Sequence, residues 1–80
     1  MILLEVAEML AASGYPYTIQ IDEGVQEGEV GRVYNVDDPD NSVGEVIVTP
    51  VGDYLVRIVG MKDVVFVKPI DVIMWIVQML

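Results

Sequence analysis

The central part of the chain, residues 43–68, alternates short runs of β-branched residues with residues that form turns. The three runs are Gly44–Thr49, Tyr54–Val59 and Val64–Lys68, and the turns between them are Pro50–Asp53 and Gly60–Asp63. Apolar runs of this length, bounded by Gly, Pro and Asp, are typical of an antiparallel meander. The alternation in the first two runs predicts one buried face, formed by Val46, Val48, Tyr54, Val56 and Ile58.

Two further strands are predicted upstream of the meander. In Tyr17–Asp22 apolar and polar residues alternate without interruption, which indicates a half-buried strand with one solvated face. Val30–Val36 predicts a second strand whose buried face carries Val30, Tyr34 and Val36. Arg32 would fall on the same face, so we expect a β-bulge near Gly31 to redirect it.

The N-terminal segment Ile2–Ser13 predicts a helix, because Leu, Ala, Met and Glu favour helices. Gly14 stands where a left-handed residue would end the helix, and a proline follows two residues later. Glu5 and Glu8 mark a narrow solvated stripe, and the rest of the circumference is largely apolar. We therefore expect the helix to pack on a broad surface, either a sheet or a second copy of the chain.

The C-terminal segment Pro69–Leu80 is open to two interpretations. Pro69 suits the first position of a helix, and Asp71 suits its positively polarised N-terminus. The following valines, isoleucines and tryptophan favour a strand instead. The segment is therefore a helix or a last strand, and as a helix it would expose only Asp71 and Gln78.

Two connections carry much of the acidic charge. The candidate acidic surface consists of Glu23, Glu27 and Glu29 in the first loop and of Asp37, Asp38 and Asp40 in the second. The second loop, Asp37–Ser42, could offer oxygen ligands to Ca²⁺, but an EF-hand begun at Asp38 would place Val43 at the glycine position and Thr49 at the glutamate position. Asx-turns explain its composition, so no metal site is predicted.

The residue inventory limits the chemistry. The 80-residue chain has no cysteine or histidine, so it cannot form the commonest nucleophile–base pairs or zinc sites. With 13 acidic and 4 basic residues the net charge is −9, which disfavours direct contact with nucleic acid. We expect a non-catalytic protein without a cofactor. The apolar ends are too short to span a bilayer, and no signal peptide is evident, so a cytoplasmic location is expected.

Short strands that end in a proline-containing turn give residues 28–72 a likeness to small barrels. The pieces VGEVIV, DYLVRIVG and DVVFVKPIDV resemble the layout of SH3-like barrels, which implies a meander that curls on itself. GDYLVRIVG also resembles a strand of the small hydrogenase-maturation chaperones. Those proteins carry an essential cysteine near the start, where this chain has Ile2, so no function is carried over.

The expected fold is α+β and forms a single domain, residues 1–80. An N-terminal helix packs on a four- to five-stranded antiparallel meander that curls into a small SH3-like barrel, with the C-terminal segment as its closure. We expect a structural or interaction module that self-associates through its apolar ends, because one small sheet has few faces to bury them. The candidate interaction residues are Ile2, Leu3, Met9, Ile73, Trp75, Ile76, Met79 and Leu80. The alternative is an acidic mimic that binds a basic nucleic-acid-binding protein.

Overall fold

The computed structural model describes residues 2–22 and 30–80, and for Ile2 and Asp22 it describes the backbone alone. The elements are α1 (Ile2–Ala12), β1 (Tyr17–Asp22), β2 (Val30–Asn35), β3 (Asp38–Val48), β4 (Tyr54–Ile58), β5 (Val64–Phe66) and α2 (Pro69–Met79). The α+β class, the N-terminal helix and the antiparallel meander predicted from the sequence are confirmed. The first loop, with Glu23, Glu27 and Glu29, lies outside the described residues.

The five strands form one antiparallel sheet in the order β1-β2-β3-β4-β5. Each described strand pairs with its neighbours in sequence, so β1 and β5 are the edges of the sheet, and the described strands do not close into a barrel. The closed SH3-like barrel that the resemblance implied is therefore not confirmed.

Both helices pack on the same face of the sheet and against each other. Helix α1 contacts β1, while α2 contacts β4 and β5. The core between the two layers consists of Leu3, Val6, Leu10, Ile19, Val33, Val46, Val48, Tyr54, Val56, Ile58, Val72, Ile73 and Ile76. The alternation predicted for β1, β3 and β4 is confirmed, because their inward residues belong to this core or, like Tyr17 and Ile21, pack against it.

The C-terminal segment is a helix. Pro69 occupies its first turn, where a backbone N–H would have no partner within the helix, so proline costs no hydrogen bond. Lys68 precedes it in an extended conformation. The buried side of α2 is formed by Val72, Ile73 and Ile76. Burial of these residues against the sheet outweighs their preference for strands. The expectation that only Asp71 and Gln78 would be exposed is wrong, because the outer side of α2 also carries apolar residues.

The hairpin between β2 and β3 differs from the sequence prediction in two ways. Most of the segment expected to be an acidic loop belongs to β3, which starts at Asp38 after a two-residue turn. The expected bulge near Gly31 is also wrong, because β2 pairs regularly from Val30 to Val33 and its register shifts only beyond Val33. As a consequence Gly31 and Val33 face the core, whereas the predicted inward residues do not.

Helix α1 ends as its sequence indicates. Gly14 adopts a φ of 74°, and its N–H donates to the carbonyl oxygen of Ala11. The hydroxyl of Ser13 donates to the carbonyl oxygen of Leu10 at 2.6 Å. These bonds satisfy carbonyls that the helix leaves without partners and turn the chain into β1.

Candidate interaction surfaces

The apolar candidates from the two ends of the chain do not form one surface. Leu3, Ile73 and Ile76 are buried in the core between the helices and the sheet. The half-buried candidates packed against that core are Met9, Trp75 and Leu80. Met79 is 48% exposed, and the side chain of Ile2 lies outside the described part of the chain. Burial within one chain therefore accounts for most of the apolar surplus at the ends.

The outer side of α2 carries an apolar stripe that the sequence analysis did not single out. Ile70, Met74 and Val77 are 46%, 53% and 37% exposed. Their i, i+4, i+7 spacing places them on one side of the helix, away from the buried residues. We call these three residues the α2 stripe. Its spacing is visible in the sequence, but the buried residues of the same helix are equally apolar, so only the packing shows which set faces outward.

The α2 stripe lies on a weakly charged element of a strongly acidic chain. The only ionisable side chain within α2 is Asp71. The whole chain has a net charge of −9, and Asp37, Asp38 and Asp40 place three carboxylates at the tip of the β2–β3 hairpin. Two copies that approach through α2 would therefore meet less like-charge repulsion than through the acidic hairpin.

The second acidic segment forms the tip of the β2–β3 hairpin. Asp37, Asp38 and Asp40 are all exposed there. The side-chain oxygen of Asn35 accepts a hydrogen bond from the N–H of Asp37 at 2.8 Å, and the amide of Asn41 donates to the carboxylate of Asp38 at 3.2 Å. The first is an Asx-type contact, but it starts from Asn35, before the predicted loop, and the second joins two side chains. They order the tip and leave its three carboxylates in solvent.

The outer face of the sheet, opposite the helices, carries a row of charged residues in cross-strand register. Arg32 of β2 pairs with Glu45 of β3, and Glu45 pairs with Arg57 of β4. Arg57 also contacts Asp63 in the turn after β4, with 3.1 Å between Nε and Oδ2. Positive and negative charges therefore alternate along the row, which is a favourable arrangement for neighbouring strands.

A shallow depression of about 290 Å³ lies beside this row. Its lining includes both arginines and Gly44. The guanidinium of Arg57 is already paired with Asp63 and Glu45. The hydrogen bond and charge of Asp63, and after them the contact with Glu45, raise the pKa of Arg57. The depression therefore offers balanced charge rather than a concentrated field for an anion or a cation.

The described residues contain no group of three or more carboxylates, or other potential ligands, placed to hold a metal ion. They also include no buried polar or charged side chain. Among these residues no helix is both long and apolar enough to cross a membrane. Within the described ranges, features suited to recognition include an apolar helix face, an acidic hairpin tip and the edges of the sheet.

Comparison of the chain with protein-family models, with curated proteins and with solved structures finds no match in any of the three. Functional inference therefore rests on the surfaces described above.

Proposed function

We propose that the protein is a non-catalytic module that self-associates through the outer face of α2. The observation that carries the proposal is the α2 stripe, in which Ile70, Met74 and Val77 are between 37% and 53% exposed on one side of the helix. Pairing two such stripes removes apolar surface from water, at about 25 cal/mol per Å². The natural arrangement is two α2 helices related by a two-fold axis, because each copy then presents the same surface.

The composition and charge of α2 support a second copy as the partner. Methionine is enriched in interface cores and adapts its shape to its neighbours. The helix carries one carboxylate and no basic residue, so it offers little to a charged partner. Charges elsewhere on the two copies lie farther apart in such a pair, and salt screens them over about 8 Å at physiological ionic strength.

Replacing one residue of the stripe with a carboxylate tests this function. Met74→Glu places a charge in the proposed contact, while the isolated chain tolerates it because residue 74 is 53% exposed. Val51→Glu is the matched control, since it adds the same charge at an 82% exposed apolar residue in the β3–β4 turn. We expect light scattering to show that M74E weakens association at least tenfold and that V51E changes it less than threefold.

Equal effects of the two substitutions would show that net charge, rather than the α2 stripe, controls association. Circular dichroism of both variants must match the parent chain, so that loss of association does not reflect loss of the fold.

The acidic hairpin tip supports a second candidate function, an acidic mimic that binds a basic nucleic-acid-binding protein. The supporting observation is that Asp37, Asp38 and Asp40 are all exposed within one hairpin tip. Replacing the three with asparagine should release the protein from immobilised polylysine at lower salt than the parent chain. The control variant E5Q/E8Q/D53N removes three acidic charges elsewhere. Equal release of both variants would leave only a net-charge effect and contradict the mimic.

A further inference from the structure

Strand β1 lies at one edge of the sheet that the described strands form. Among the described strands it pairs with β2 alone. The pairing is regular over all six residues, from Tyr17 opposite Asn35 to Asp22 opposite Val30, without a register shift. Edge strands are usually protected from further pairing by a bulge, a lysine, a proline or very short length, and Tyr17–Asp22 has none of these. The other edge, β5, has only three residues.

The backbone groups on the open edge follow from the hydrogen-bond pattern. The carbonyl oxygen of Pro16 accepts a bond from the N–H of Val36 at 2.8 Å, which fixes the residues that point toward β2. In an antiparallel ladder these residues alternate with residues that point away. Thr18 and Gln20 therefore bond to β2, whereas Tyr17, Ile19 and Ile21 direct their N–H and C=O groups to the open edge.

We propose that the open edge of β1 pairs with β1 of a second copy, so that two sheets join into one. The segment Tyr17–Ile21 contains no charged residue, although the chain as a whole has 17. An antiparallel pair centred on Ile19 keeps Asp22 of each copy outside the paired segment. Two acidic chains can therefore meet here without placing like charges opposite each other.

The side chains of β1 are self-complementary in this register. Residues that lie opposite each other across an antiparallel pair share one face of the sheet. Tyr17 of one copy then lies opposite Ile21 of the second, and Ile19 lies opposite its own equivalent, all on the face that the helices cover. Thr18 lies opposite Gln20 on the outer face. An aromatic residue opposite a β-branched one is among the favourable cross-strand pairs.

This contact is a second interface and does not depend on the α2 stripe. One surface lies on the outer side of a helix and the other on the edge of the sheet, so both can be occupied in the same chain. Two different two-fold interfaces on one chain produce assemblies larger than a dimer. Each interface can be removed separately, so the two proposals can fail separately.

The molar mass of variants with a lysine on the sheet edge tests the pairing of β1. Thr18→Lys places a gatekeeper charge on the outer face of the open edge, and Val65→Lys makes the same charge change on the outer face of β5. We expect the parent chain and V65K to exceed the mass of a dimer, T18K to stop at the α2-paired dimer, and M74E to stop at the β1-paired dimer. The double variant T18K/M74E should have the mass of one chain. Equal masses for T18K and V65K would overturn the proposal.

Amide hydrogen exchange provides a second readout that does not depend on a substitution in β1. In the M74E chain we expect the amides of Tyr17, Ile19 and Ile21 to exchange at least tenfold more slowly as protein concentration rises. The amides of Thr18 and Gln20, which already bond to β2, serve as the internal control and should not respond. Exchange at all five amides that is independent of concentration would overturn the pairing, whatever the state of the α2 contact.

Discussion

Gly44 of β3 lies directly opposite Ile58 of β4, and Ile58 fills the space that a side chain on Gly44 would need. A Cβ at Gly44 would stand 2.6 Å from Cδ1 of Ile58 and would also overlap the carbonyl oxygen of Arg57. Next to this position the partner of β2 changes from Gly44 to Ser42, which leaves Val43 as the extra residue of a β-bulge. The hydroxyl of Ser42 donates to the carbonyl oxygen of Gly44 at 2.7 Å.

Gly44→Ala should therefore destabilise the fold by about 1–3 kcal/mol, the usual cost of crowding a packed position. Ile58→Val removes the Cδ1 atom, so in the G44A background it should restore part of the loss, although it weakens the parent chain. Urea unfolding of the two single variants and the double variant measures this coupling. Strictly additive losses would contradict the contact.

The two sides of α2 should respond differently to truncation. Ile76 is fully buried, so Ile76→Ala should lower the free energy of unfolding by about 2–5 kcal/mol. Its neighbour Val77 is 37% exposed in the α2 stripe, so Val77→Ala should cost less than about 1 kcal/mol in the isolated chain. Measurement of both by urea unfolding in the T18K/M74E background, which should have the mass of one chain, keeps self-association out of the comparison. A similar loss for the two would contradict the orientation of α2.

The first turn of α2 leaves room for stabilisation. Lys68 occupies the N-cap position, and its side chain makes no capping hydrogen bond. Lys68→Ser supplies a side-chain oxygen that can accept from the N–H of Ile70 or share that of Asp71, which already donates to the carbonyl oxygen of Lys68 at 3.1 Å. The substitution should therefore stabilise the protein by about 1 kcal/mol. Lys62→Ser, outside the helix, removes the same charge and is the control. If the thermal midpoint rises equally in both variants, the gain comes from the loss of the lysine charge alone.

The charged row on the outer face predicts an order of effects around Arg57. Its contact with Asp63 is shorter than its contact with Glu45, at 3.1 Å against 3.6 Å, and Asp63 is also the larger cause of its raised pKa. Asp63→Asn should therefore lower the urea midpoint more than Glu45→Gln. Because these groups are exposed, the difference should shrink as salt is added. A larger fall in the urea midpoint for E45Q than for D63N would show that Glu45, and not Asp63, is the stronger partner of Arg57.

The sequence predicts β1 and β4 well because their alternation has a single cause. Each strand has one face on the core, so burial and the two-residue period coincide, as they do at Ile19 and Val56. In β2 the same reasoning failed, because Gly31 and Val33 face the core. Glycine carries no apolar signal, and the register shifts only beyond Val33, with the extra residue in β3 rather than in β2. The position of a bulge depends on the partner strand, which local pattern does not contain.

The surfaces were harder to predict than the fold. Ile73 and Met74 are adjacent apolar residues of α2, yet one belongs to the core and the other to the α2 stripe. Composition cannot separate them, because the assignment depends on how the helix is rotated over β4 and β5. Asp38 and Asp40 also read as loop residues, although backbone pairing with β2 places them in β3. Tertiary contacts override local preference at each of these positions.

The molar mass of the parent chain as a function of concentration tests the central claim most directly. Light scattering after size-exclusion chromatography should give a mass that rises with loading, from the 8.9 kDa of one chain toward at least twice that value. A constant mass of 8.9 kDa at every loading would contradict self-association and leave the α2 stripe without its proposed partner.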